Sequence, residues 1–444
     1  MKRSKLRWAI LVLLLAAGVL LAGCQIDYQS VAVLFVAHGE PASFDEGKER
    51  IIDPDGTLHG PFAPNLIRPY EIKEPGEQYW MWAALYEEVA EALTYQFGDM
   101  NGNGILHELR FVPEGDVPRF FSWTAFREGA KQQYAYLGGS PHNAAWKEHV
   151  ERIRLSLLNK SIDVHLAYME AKPTVAQKVW DLVISGRYDK LVVVPLLLSE
   201  STHTQEIRAE AEEWIRKAEE RTGRPVEVVW AHPFFTEPYV RTLHAKAVAG
   251  MVQWIRETEV PSEVTDDQIG VVLASHGDPY PPPYPEFGWQ EGEVYSHVYL
   301  MEKDFHDTVA KMLPYGTDDI LMGNNEFRPP SVDQAVTQLI AKGKTAVIVV
   351  PASFPTTSMH TMWDIGEAAS GLPPQNFHGV PPANIACWQR TAGGHTGTVY
   401  YSSRGYGDQE PGASYIRDGM RFVAEVALLE LFEKHRAEYE YLFK

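Results

Sequence analysis

Cysteine is nearly missing from this chain: its 444 residues hold two, Cys24 and Cys387. With Cys24 expected to be lipidated, no intramolecular disulfide is possible, and stability has to come from packing. There is no Walker loop, no Gly-x-Ser-x-Gly elbow and no Cys-x-x-Cys pair. The chain therefore carries no pattern for nucleotide, acyl-transfer or redox-thiol chemistry, and no nucleotide cofactor is expected. Positive charge is also short, with 40 Lys and Arg against 59 Asp and Glu, a net charge of −19. Removing four basic leader residues takes this to about −23, which argues against nucleic-acid binding through a general electrostatic patch. Such a surface concentrates metal cations only weakly and without selectivity. The opening apolar run, Trp8 to Leu21, is too short and too early to read as a permanent membrane span.

That run belongs to a leader. Lys2, Arg3, Lys5 and Arg7 form a basic start, and Leu21-Ala22-Gly23-Cys24 resembles a bacterial lipobox. The expectation is a signal peptide over residues 1–24, lipidation of Cys24, and export to the cell envelope with a lipid anchor in the membrane. Gln25, rather than Asp, follows the cysteine. In a cell with two membranes this favours the periplasmic face of the outer one.

The mature chain contains an internal repeat of three elements. The first is an apolar run ending in His-Gly-acid-Pro: VAVLFVAHGEP around His38 and IGVVLASHGDP around His276. The second is a glutamate ahead of a basic residue and proline: EAKPTV from Glu170 and EFRPPSV from Glu326. The third is an apolar run followed by a His-Thr step: LVVVPLLLSESTHTQEI with His203 and VIVVPASFPTTSMHTMWDI with His360. Glu170 to His203 is 33 residues and Glu326 to His360 is 34, so these parts match. His38 to Glu170 is 132 residues and His276 to Glu326 is 50, which leaves 82 residues inserted in the first copy, at roughly 44–145. A repeat of this kind sets the architecture before any local reading does.

Short apolar runs at 31–37, 162–168, 190–198, 226–231, 269–274, 318–323 and 345–353 alternate with amphipathic stretches at 172–185, 203–221, 236–257, 296–312, 331–342 and 414–438. Continuous Val, Ile and Leu strands suit a parallel sheet covered on both faces. The expected fold is α/β, with two doubly wound parallel-sheet domains: residues 25–258, with the insertion, and 269–444, joined by the polar stretch 259–268. Open sheets of this type bind ligands beyond the carboxyl ends of their strands. His38 and His276 directly follow strands, and His203 and His360 follow strands across short loops, so all four are expected at the ligand edge.

Imidazole is a common ligand for transition metals and a proton acceptor near neutral pH. One or two imidazoles hold a divalent ion yet release it, unlike a closed four-ligand cage. Where a tetrapyrrole is the acceptor, two pyrrole protons leave as the metal enters, and a neutral imidazole aided by a carboxylate takes them. Asp364 lies four residues after His360 on one helix face, and Glu206 lies three after His203. Glu170 and Glu326 are further ligand or base candidates. Taken singly, each histidine could merely cap a helix or bond a turn. The Gly-acid-Pro that follows has its own geometric role, glycine allowing a tight turn and proline ending the strand.

At these residues the sequence resembles the class II chelatases, which include the sirohydrochlorin cobalt chelatases and the ferrochelatases. The resemblance covers roughly 31–43 and 160–370. It implies insertion of a divalent metal substrate, Co²⁺ or Fe²⁺, into a sirohydrochlorin- or porphyrin-type tetrapyrrole. His276 matches the family's principal metal- and proton-handling histidine. His360 falls where ferrochelatases carry a glutamate and cobalt chelatases a second histidine, and Asp364 matches a further acidic residue. The implied catalytic set is His276, His360, Glu326 and Asp364. The metal set is His276, His360, His38, His203 and Glu170. The resemblance favours the compact second copy as the working site. The alternatives are an envelope protein that binds metal or haem on the same fold without turnover, and a general solute-binding lipoprotein, which would not need the repeated histidines.

Other signals are weaker. The insertion is rich in aromatics, with Tyr79–Phe97 reading as a helix; it either covers a cleft or adds a packing layer. Asp99 to Gly104 resembles the start of an EF-hand loop, but the twelfth position is Arg110, so a Gly/Asn turn is the better reading. PYPPPYPEFGW, 279–289, forms a stiff extended loop that either walls a macrocycle or serves as a connection.

Overall fold

The computed structural model describes residues 31–43, 46, 51–56, 133–154, 157, 162–199, 201–277, 303–325, 330–373, 376–382 and 384–435, with the backbone of 107–110 and 119–122. The leader with Cys24, Tyr79–Phe97, the 99–104 turn, Asp278, the 279–289 loop and Glu326 lie outside the described residues.

In chain order, the strands are β1 (Val31–Ala37), β2 (His107–Arg110), β3 (Arg119–Ser122), β4 (Asp163–Tyr168), β5 (Lys190–Pro195), β6 (Glu227–Trp230), β7 (Ile269–Ser275), β8 (Ile320–Asn324), β9 (Ala346–Pro351), β10 (Ile385–Ala392) and β11 (His395–Ser402). The helices are α1 (His142–Arg154), α2 (Val175–Ile184), α3 (Thr202–Thr222), α4 (Pro238–Thr258), α5 (Val332–Ala341), α6 (Ile365–Ser370) and α7 (Gly412–Lys434), with shorter helical segments at 133–137 and 303–310. β4, β1, β5 and β6 form one parallel sheet. The second has the order β10-β11-β9-β7-β8, parallel except for the β10–β11 hairpin at its edge. Short β2 and β3 pair with each other inside the insertion.

The repeat is visible in this topology. β1 lies between β4 and β5, and β7 lies between β8 and β9. Each copy starts its next helix with the same device: Thr174 caps α2 in a box with Gln177, and Ser331 caps α5 in a box with Gln334. Each such box satisfies two amide donors that the first helical turn leaves orphaned. α1 begins where the insertion ends, and its Trp146, Val150 and Ile153 are buried.

Unbroken apolar strands bury both faces, and alternation decides where each side chain goes. In β1, Val31, Val33 and Phe35 enter a core shared by both halves, while Ala32, Leu34 and Val36 face an outer core under α2 and α3. In β7, Ile269, Val271 and Leu273 enter the shared core, and Val272 and Ala274 face the outer core of the second half.

The two halves also exchange helices. α4, from the first half in sequence, packs on β9 of the second sheet, while α7 packs on α1, β5 and β6 of the first and runs against α4. Val248, Val252 and Ile255 of α4 and Ile416, Val423 and Leu428 of α7 join the shared core. His244 of α4 bonds through Nδ1 to the Tyr406 hydroxyl at 2.7 Å, a buried polar link inside that clasp. The two strand edges that end in histidine are thereby fixed against one another.

Candidate functional site

Each repeat ends its central strand in the same way. The carbonyl of Val36 accepts from Leu196 N at 2.7 Å, and that of Ala274 from Ala352 N at 2.7 Å. The carbonyl of Ala37 accepts from Met169 N at 3.0 Å, and that of Ser275 from Asn325 N at 2.8 Å. The central strand is thus held on both sides up to its last residue, and the histidine emerges next. Gly39 and Gly277 then adopt φ of +80° and +82°. At Gly39 a Cβ would lie 2.6 Å from Tyr168 Cβ, so the turn requires glycine both for its conformation and for its space.

That turn aims each histidine. His38 Nδ1 lies 2.8 Å from the Gly39 carbonyl, and His276 Nδ1 lies 2.7 Å from the Gly277 carbonyl. A carbonyl only accepts, so Nδ1 carries the proton and the lone pair sits on Nε2. His276 has a further support that His38 lacks: its backbone N–H donates to Ser353 Oγ at 2.7 Å.

The second histidine of each pair is aimed by a carboxylate on its own helix. His203 Nδ1 is 2.8 Å from Glu206 Oε2, and His360 Nδ1 is 2.7 Å from Asp364 Oδ2. This again directs the lone pair to Nε2, and an N–H···carboxylate bond raises the basicity of a ligating imidazole. His203 follows a Ser201/Thr204 capping box at the start of the regular helix α3. His360 instead opens a π-helical turn, His360–Asp364, in which Ile365 N–H donates to the His360 carbonyl. Such wide turns are rare and often mark functional positions.

The rings meet in pairs, His38 with His203 at 5.0 Å between centroids and His276 with His360 at 5.2 Å, both edge to face. Phe354 packs on both members of the second pair, at 5.9 and 6.0 Å. The four histidines line a single cavity of about 160 Å³, between the halves. Leu196, Leu197, Phe235, Phe305, Met322 and Phe354 supply apolar walls. What the sequence presents as two separate pairs is therefore one chamber with two walls. Glu170 sits at the same edge, its backbone N–H donating to the His38 carbonyl at 3.0 Å, but its side chain is not part of the described lining. Among the described residues, no three His, Cys, Asp or Glu side chains converge tightly enough to hold a metal ion. The structure presents imidazole pairs.

Two lining residues escape the sequence reading. Glu40 is the acid of the first His-Gly-acid-Pro, 3% exposed, and it crosses to the other half. Its carboxylate accepts from Met359 N at 3.1 and 3.3 Å, at the entry to the His360 turn. Ser140 Oγ donates to the same carboxylate, and Asn143 brackets the Glu40 backbone through bonds of 3.1 and 2.7 Å. Burial pushes the Glu40 carboxyl up to about 8, against the pull of His360 and of the Met359 N–H. The repeated acid was the available signal, but its geometric role masked it. His142, at the start of α1, has no counterpart in the repeat, so no signal marked it.

Electrostatics keep two of this chamber's imidazoles, His38 and His142, neutral. Burial and then the neighbouring His203 hold His38 well below the ordinary imidazole range. Burial, and then His360, bring His142 down to about 3. Neutral imidazoles presenting Nε2 lone pairs in an apolar chamber can bind a divalent cation or accept protons.

Comparison with known proteins gives three results. Residues 138–250 match the CbiX family model; this segment includes His142 and His203 and ends before His276 and His360. The coproporphyrin III ferrochelatase of Corynebacterium glutamicum (strain R) is 22% identical over 244 residues, 52% of this chain and 62% of that protein. The chain thus spans less than two thirds of the length of the curated relative it matches. Among solved structures, the sirohydrochlorin chelatase SirB from Bacillus subtilis subspecies spizizenii, in complex with cobalt, aligns at 14% identity over 64% of this chain and 89% of that one, with a TM-score of 0.38. SirB from Bacillus subtilis with Fe3+ aligns at 12% identity over 72% and 76%, with a TM-score of 0.35. The CbiX match and the ferrochelatase relative are likenesses to chelatases over part of the chain.

Proposed function

We propose that the chain is an exported, lipid-anchored tetrapyrrole chelatase that inserts Co²⁺ or Fe²⁺ into a sirohydrochlorin- or porphyrin-type macrocycle. The observation that carries this reading is the second pair: His276 and His360 share one cavity wall, each with Nδ1 engaged, so that both present the Nε2 lone pair to the ion. The ion is held by two imidazoles rather than a closed cage and so remains free to leave. As it enters the macrocycle, the two pyrrole protons pass to imidazole Nε2, and Asp364 stabilises the His360 imidazolium that results. Apolar walls at Phe305, Met322 and Phe354 suit the face of a flat ring. Glu326 follows β8 in the sequence and is assigned as an assisting base or ligand. The lipobox at Leu21–Cys24 supports an envelope location.

The test is direct. The purified full chain is mixed with sirohydrochlorin or coproporphyrin and Co²⁺ or Fe²⁺, and the macrocycle's absorbance bands are followed. Insertion well above the protein-free rate, lost in His276→Ala, is the expected result. A rate equal to the protein-free control, with metal or haem still bound, would leave an envelope binding protein as the function instead.

A further inference from the structure

His142 is the fifth histidine of the cavity, and it belongs to neither pair. It opens α1 in the first half, yet its ring is held by the second half: Nδ1 lies 2.9 Å from Thr356 Oγ1, four residues before His360. Its backbone N–H donates at 3.2 Å to Ser140 Oγ, the hydroxyl that bonds Glu40. Trp146 backs the ring edge to face at 6.4 Å. The imidazole is thus fixed at its base, at Nδ1 and along one edge. The remaining nitrogen, Nε2, is shut off from solvent and has no hydrogen-bond partner.

A buried nitrogen without a partner costs free energy, and native proteins keep such groups where they have a use. Position supplies one here. His142 lines the same cavity as His38 on one wall and His360 on the other. Where Nδ1–H donates to the Thr356 hydroxyl, the lone pair of the ring falls on Nε2. Among the described residues each pair supplies two imidazoles and no third His, Cys, Asp or Glu side chain converges on them, which leaves an ion on either pair with coordination sites for a further donor.

We propose that His142 is a metal way-station: its Nε2 takes up a divalent transition-metal cation as it passes between the His38/His203 pair and the His276/His360 pair. No bond other than metal–nitrogen coordination is made or broken along this route. The two pairs then serve as entry and delivery points of one track. The roles of the pairs rest on the chelatase reading; the passage of an ion between them does not.

The experiment uses ¹¹³Cd²⁺ alone, without tetrapyrrole. The full chain is loaded with up to two equivalents, and the resonances of the two pairs are assigned with His203→Ala and His360→Ala. Exchange between them is measured by saturation transfer. In the wild type, transfer between the pairs is expected to be faster than release to bulk chelator. His142→Gln should slow it about tenfold or more, the scale on which loss of one metal-orienting group acts. Both resonances should remain in place. Thr356→Val, which removes the hydrogen-bond partner of Nδ1, should give a smaller slowing. Thermal unfolding of the variants shows whether they are folded, and a purely structural His142 would change stability but not exchange. Unaltered exchange in folded His142→Gln overturns the proposal and leaves the chelatase reading standing. Slowed exchange in a chain that inserts no metal does the reverse. A chain that binds no Cd²⁺ sinks the way-station and the metal half of the chelatase reading together.

Discussion

The two histidine pairs come from the same repeat and differ in how firmly they are held. In the first, His203 and its Glu206 partner are 31% and 24% exposed on a regular helix. In the second, the His360 side chain is 9% exposed, stands on a π-helical turn, and is approached from the other half by Glu40. His276 has a Ser353 buttress, where the first copy has Leu197 at the matching position. The first wall is thus open and adjustable, and the second is fixed on three sides. A pair that loads an ion gains from access, and a pair that delivers it gains from fixed geometry. The helix exchange through α4 and α7 sets these unlike walls face to face.

The largest predicted effect tests that division. His276→Ala or His360→Ala should lower metal insertion by about a hundredfold or more, as expected for a lost acid–base group. His38→Ala or His203→Ala should lower it by less than about tenfold at saturating metal, and more when metal is limiting. Steady-state rates across a metal titration read both. Equal losses at the two pairs would break the comparison.

Next in size are the carboxylates behind the imidazoles. Asp364→Asn should weaken Co²⁺ binding at the second pair by about 10- to 100-fold. Glu206→Gln should do less at the first, because that pair is more exposed to water, which competes for the same bond. Calorimetric titration of the full chain with Co²⁺ separates the two. A larger loss at Glu206 would reverse the assignment of the fixed and open walls.

Glu40 follows. Glu40→Ala leaves the Met359 N–H and the Ser140 hydroxyl buried and without their acceptor, at a cost of about 1–3 kcal/mol for each such group. Glu40→Gln keeps the acceptor oxygen and should retain most of the stability in denaturant unfolding. If Ala and Gln variants are equally stable, Glu40 is not what fixes the second wall.

These contrasts also show what the sequence could and could not convey. The repeat reads directly from unbroken runs such as VAVLFVA and LVVVP, because a strand covered on both faces cannot hide its hydrophobicity. The His–carboxylate spacings at 203/206 and 360/364 are those of residues that share a helix face, and the structure joins each pair by an Nδ1–carboxylate bond. The hairpin β10–β11 was not legible, because Gly393 and Gly394 sit among polar residues that resemble a loop. Nor was the helix exchange, since amphipathic helices state which face is buried but not against which sheet. That hid the main feature of the site, one chamber rather than two. It also hid Glu40 and His142, whose partners Met359 and Thr356 are more than two hundred residues away.

The smallest effect is a pH dependence, and it distinguishes chamber histidines from those of the clasp. Burial lowers His38 below its ordinary value and brings His244 to about 3. Both are neutral in the folded chain, while in the unfolded chain they take up protons below about pH 6.5. The unfolded state then binds more protons, so stability is full above pH 6.5 and falls as the pH drops towards the folded values. Each residue contributes at most about 1.4 kcal/mol per pH unit in that window. His244→Gln and His38→Gln should each flatten the fall in melting temperature between pH 7 and pH 4.5. Only His38→Gln should also weaken Co²⁺ binding, since His244 faces Phe234, Phe235 and Tyr406 rather than the cavity. Loss of metal binding in both variants would mean that the clasp shapes the first wall. The open pair would then be as dependent on the exchanged helices as the fixed one.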